Sequence, residues 1–187
     1  LSTETIMKSL EEKKTEAATA ERANIWFPKA SQVVSTSQTL YDYIESLKNH
    51  ILTRAGGKPG ELNTEFDEGN QDIVTKLMIN EGNAKKLLDA LTKYKADILG
   101  IDSSIKIEFE KSLNIDLSNP PGRDGKTKTW EIAYFNMVPT VAGLTILSKF
   151  QNDIKTSENK VVAFCHTKVG EVKVIFDTYT AIVGQNS

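Results

Sequence analysis

The chain has 187 residues, 39% of them hydrophobic and 26% charged, which suits one domain with a sizeable core and excludes a disordered chain. Its 23 basic and 25 acidic side chains leave a net charge of −2, so no global attraction draws it to nucleic acid or an anionic membrane. Cys165 is the single cysteine, which rules out an intramolecular disulfide and leaves the compartment open.

Residues 2–24 are polar and alanine-rich, with good helix formers throughout. Ile6, Leu10, Ala17 and Ala20 form a thin apolar line interrupted by Lys13, as in a helix that borrows a neighbour's surface, such as a dimer partner's. Around Ile25-Trp26-Phe27-Pro28 the helix is expected to kink or restart, because a helix-interior proline disrupts the ladder. Val33, Leu40, Ile44, Leu47 and Ile51 then form an apolar seam that stops before Gly56-Gly57. Residues 56–71 read as a polar connection.

A short helix is expected over Asp72–Glu81, with Gly82 or Asn83 as the break. Ala84–Leu99 follows, burying Leu87, Leu88, Leu91, Ile98 and Tyr94. Asp102 or Ser103 caps one more short helix carrying Ile105, Phe109 and Leu113. The stretch 118–128, with Pro120-Pro121 and two glycines, is the clearest loop. Beyond an aromatic cluster at Trp130, Tyr134 and Phe135, Pro139 occupies the first position of a long helix expected to run to about Val169. Leu147, Phe150, Ile154, Ser157, Val161 and Phe164 lie on one narrow stripe of it, suited to another helix. Val172, Val174 and Phe176 alternate with other residues and read as a strand.

Chemistry-bearing motifs are few. His50 and His166 lie near helix ends or flanks, where a solvated residue or dipole partner is the simpler reading than a base. Cys165 reads as a small buried hydrophobe, and Cys165–His166 is no dyad, because adjacent helical residues point apart. Gly56-Gly57-Lys58-Pro59-Gly60 lacks the phosphate-loop spacing, and Glu65, Asp67, Glu68 and Asp72 do not follow the order of a calcium loop. Arg123, Lys126 and Lys128 make a small basic loop, read as solvated. Trp26 with Phe27, and Trp130 with Tyr134 and Phe135, read as packing over bundle ends rather than as partner anchors. Catalytic, cofactor-binding and metal-binding residues are therefore expected to be absent, and no residue is assigned to partner binding. No apolar run approaches the ~18–20 residues of a membrane span.

The run "VPTVAGLTILSKFQNDIKTSE" at 138–158 resembles the signature of the GldM/PorM family, the inner-membrane-anchored motor component of bacterial gliding and type IX secretion. "QTLYDYIESLKNHI" and the ending "FDTYTAIVGQNS" resemble the same family in the right order, with "LLDALTKYKADIL" between them. The most specific part is "LSKFQNDIK". The resemblance implies the first periplasmic domain of a homodimeric, proton-driven stator or shaft. A membrane helix would precede Leu1 and sit inside a ring of a GldL/PorL-type partner, and β-rich domains would follow Ser187.

The expected architecture is all-α: an elongated helical bundle of long kinked helices over 1–170, with an extended linker or strand over 171–187 leading to a following domain. The expected function is transmission of motion from the inner membrane to the outer-membrane secretion and gliding machinery. The alternative is a periplasmic ligand-sensing four-helix bundle of a membrane receptor, which would need convergent polar groups. The three arginines, Arg22, Arg54 and Arg123, are widely spread for that purpose.

Overall fold

The computed structural model describes residues 1–113, 115–119, 126 and 128–185, with side chains as far as Gly170. The described residues are all-α and contain no strand. The helices are α1 (Thr3–Lys13), α2 (Ala20–Arg54), α3 (Asp72–Val74), a π-helical turn (Thr75–Asn80), α4 (Asn83–Leu99), α5 (Ser103–Phe109), α6 (Trp130–Phe135) and α7 (Thr140–Gln185). They form two compact units: one of residues 1–36, 98–112 and 156–187, the other of 37–97 and 113–155. The boundary falls inside both α2 and α7, so each unit is built on one segment of each long helix.

In the first unit, Ser2 caps α1 by accepting the Thr5 N–H, and Ile6 and Leu10 are its buried side chains. The chain leaves the helix at residues 14–19, well before Pro28. The Thr15 and Thr19 hydroxyls donate to the carbonyls of Glu12 and Lys13, at 2.7 and 2.8 Å, and so compete with the helical ladder. Lys14 lies 4.1 Å from the centre of the Phe27 ring, tying this turn to α2. Pro28 instead sits within α2. It is exposed, as is Asn24, so water can reach the carbonyl whose helical donor the proline lacks. Trp26, Ala30, Val33, Ile105, Phe109, Val161, Val162, Cys165 and Val169 supply the core.

In the second unit, α2 and α7 run antiparallel: Gln38 meets Lys155, and Glu45 and Lys48 both meet Gln151. The expected seams are buried, from Leu40, Ile44, Leu47 and Ile51 on α2 to Leu147, Phe150 and Ile154 on α7. The α2 seam is completed by Ser37, fully buried at the step between Val33 and Leu40. Gly56, at φ +85°, follows the end of α2 in the left-handed region that an L side chain rarely adopts. The expected helix over 72–81 exists, but most of it is a π-turn, where the Glu81 N–H reaches back five residues to the Lys76 carbonyl. Pro139 stands one residue ahead of α7, its carbonyl accepting the Gly143 N–H at 3.0 Å.

Two expectations about α7 need correction. Buried positions beyond Val161 move to Cys165 and Val169 and leave Phe164 half-buried, because 3.6 residues per turn drift against a strict seven-residue seam. The strand, or extended linker, read after residue 170 is helix as far as Gln185. Short alternation was an ambiguous signal there: Val169, Val172, Phe176, Tyr179 and Val183 also recur at helical steps of three and four. Loop residues 120–125 and 127 lie outside the described residues, as does Arg123 with them.

Candidate functional site

In the first unit the polar chemistry gathers at two places. The Lys29 ammonium pairs with Asp102 at 2.5 Å and lies 4.9 Å from the centre of the Trp26 ring. Asp102 also caps α5, accepting the Ser104 N–H and hydroxyl. Its hydrogen bonds from Lys29 and then Ser104 hold the carboxyl down at about 2. Cys165 is fully buried, and desolvation, with the Asp102 charge second, pushes its thiol up to about 12. A thiol so placed is a packing group rather than a nucleophile. Phe164 stacks edge-on against Trp26 and Phe109 at 6.4 and 5.4 Å. Trp26 thus packs within the unit, as its sequence position suggests, while Phe27 is half-buried.

The second place is the contact of α1 with α7. His166 Nε2 lies 3.0 Å from Ser9 Oγ, and the Asn159 amide donates to the Leu1 carbonyl and the Thr3 hydroxyl. These pairs advance together along both helices, so α1 runs parallel to α7. Burial, and secondarily the Lys13 charge, lower the His166 pKa. His166 and Cys165 serve different neighbours, as helical geometry requires.

In the second unit, buried Gln151 donates to Glu45 at 2.7 Å and to the Tyr41 carbonyl at 3.3 Å, and accepts from Lys48 at 2.9 Å. Buried Ser37 and Tyr94 share a 2.7 Å hydroxyl hydrogen bond between α2 and α4. Trp130 is fully buried against Tyr134, Phe135 and Phe150, and its indole N–H donates to the Asp116 carbonyl. Tyr134 donates to the Asp116 carboxylate at 2.9 Å; burial, then that carboxylate, pushes the phenol up to about 12. The aromatic cluster is core, with a hydrogen-bonded rim.

The glycine-rich segment 56–60 is a turn: Lys58 bridges to Glu61, and the Gly60 N–H donates to Asn49 Oδ1. Glu65, Asp67, Glu68 and Asp72 are all exposed. Among the described residues, no three His, Cys, Asp or Glu side chains come together as a metal site. Lys126 and Lys128 are exposed, as is His50 on α2. A surface cleft of about 550 Å³ is lined by Arg54, Asn70, Asp72, Ile73, Lys76 and Glu81. Glu81 occupies both terminal nitrogens of Arg54, and the two cations of the wall face two carboxylates. Such a cleft offers little net charge to a ligand.

The sequence singled out none of the pairs Lys29–Asp102, Ser9–His166, Ser37–Tyr94 and Gln151–Glu45. Each joins residues far apart in the chain, and the one local signal was Ser37 or Gln151 falling in or beside an apolar seam.

These polar groups hold helices in register, and the class they define is an all-α domain built on long helices. The chain belongs to the GldM N-terminal domain family, whose model matches residues 2–166. That family is part of the bacterial gliding and type IX secretion machinery. No curated protein matches the chain. No helix among the described residues is long and apolar enough to cross a membrane.

Proposed function

We propose that this chain is the periplasmic helical domain of a proton-driven motor or stator subunit, which dimerises and passes motion from the inner membrane to outer-membrane secretion and gliding components. In this reading a membrane helix ahead of Leu1 anchors the subunit inside a GldL/PorL-type ring, and β-rich domains lie beyond Ser187. The observation that carries the reading is α7, continuous over 46 residues. A hydrogen-bonded helix of that length moves as a stiff rod, whereas a chain of short helices absorbs displacement in its loops. Family membership supplies the machinery it would serve.

The test is a flexible Gly-Gly-Ser-Gly insertion after Gly170 in the full-length protein. That position is exposed, and a Cβ built there meets no atom within 4 Å. Cargo export and cell movement should fall while the amount of protein stays constant. Unchanged export and movement would sink the reading.

The ligand-sensing alternative has one observation in its favour, the cleft beside Arg54, whose volume falls within the range of small-molecule sites. A saturable rise in melting temperature with a small molecule, lost in Arg54→Ala, would favour it.

A further inference from the structure

α1 is lightly held. It buries two apolar side chains, Ile6 and Leu10, and the non-helical turn at 14–19 separates it from α2. Its polar attachments to α7 are Asn159, which receives the chain start, and the Ser9–His166 hydrogen bond. We propose that α1 is a pH-responsive element, seated on α7 while His166 is neutral and loosened when His166 takes a proton.

The hydrogen bond itself tolerates both states, because a hydroxyl can donate to a bare ring nitrogen or accept from a protonated one. What changes is the charge. An imidazolium at this half-buried position loses hydration and meets the Lys13 ammonium, the charged group of α1 whose field reaches the ring. On α7, the residues one turn away on either side are Val162, Ala163, Val169 and Gly170, none of them ionisable. Lys168, two residues on, is placed against the Phe164 ring, 5.0 Å from its centre. The charge that bears on His166 is the Lys13 ammonium, and it disfavours the imidazolium.

The sign follows from the lowered pKa. The folded state favours neutral His166, so its contribution is complete above the unfolded value of 6.5 and is lost as pH falls through the folded value. α1 frees itself by a local opening, without unfolding the two units.

The experiment is hydrogen exchange on the 187-residue chain, read as protection factors so that the intrinsic pH dependence of exchange is removed. Between pH 7.5 and pH 5, protection in α1 should be lost progressively while α4 stays constant. His166→Gln should keep α1 protected at both pH values, and Lys13→Gln, which leaves the histidine in place, should shrink the fall. Constant wild-type protection overturns the proposal. So does a fall of full size in either variant.

Discussion

Gly143 approaches Val74 so closely that a Cβ added to the glycine would lie 2.6 Å from Val74 Cγ2. The contact seats the first turn of α7 on α3, and its neighbours reinforce it. The Thr140 N–H and hydroxyl both donate to the Asn70 carbonyl, and the Val141 N–H donates to the Glu68 carbonyl. Two of the orphan N–H groups at the start of α7, those of Thr140 and Val141, are thus satisfied by the connection that precedes α3.

Gly143→Ala should therefore destabilise the protein, although alanine is the better helix former. Relief of glycine's helix cost is about 1 kcal/mol, whereas overpacking costs about 1–3 kcal/mol. Val74 is fully buried and has little room to retreat. A net loss of about 1 kcal/mol in urea denaturation is expected, and adding Val74→Ala should recover part of it. A variant more stable than the wild type would show that the contact yields freely.

How much of this could be read from the sequence depends on the range of the forces involved. Apolar spacing reports burial directly, so the seams through Ile44, Leu47 and Ile51 and through Leu147, Phe150 and Ile154 were legible. The end of the first helix was not, because Glu16, Ala17 and Ala18 are good helix formers. The structure there is decided by threonine hydroxyls competing for carbonyls. Pro28 suggested a kink or restart; the helix runs on through this position, where the chain is exposed to water. At Ser37 and Gln151 a polar residue marked a position whose partner on another helix no spacing could identify.

Ser37 and Tyr94 provide the clearest test of such a hidden pair. Tyr94→Phe keeps the ring and removes the hydroxyl that Ser37 meets at 2.7 Å. The loss should be about 1–3 kcal/mol, the range for a buried hydrogen bond left without one partner. With Ser37→Ala already present, the same Tyr94→Phe change should cost measurably less. Strict additivity in the double-mutant cycle would show that the two hydroxyls do not support each other.

Lys29–Asp102 should make the first unit sensitive to acid. The folded carboxyl sits at about 2, below its ordinary 3.8, so its contribution is complete above pH 3.8 and is lost as pH falls towards 2. Because both side chains are partly exposed, on the order of 1 kcal/mol is expected. Asp102→Asn preserves an acceptor for the Ser104 N–H while removing the charge. Denaturation curves should show the variant weaker than wild type at pH 7 and nearly equal to it at pH 2. A gap that persists at pH 2 would assign the loss to the cap instead.

Cys165 should be inert in the folded protein. Alkylation needs a thiolate at the surface, and this side chain is fully buried with a thiol pushed up to about 12. At pH 8 a maleimide or iodoacetamide should label it slowly, and rapidly once guanidinium unfolds the chain. The native rate then measures how often the packing around α7 opens, since labelling must pass through an open state. Ile6→Ala, which weakens α1 on the same unit, should raise that rate if the opening includes α1. A rate unchanged by Ile6→Ala would locate the opening on the side of α7 that faces Trp26 and Phe109. Rapid labelling of the wild type would mean that this core opens far more readily than its burial implies.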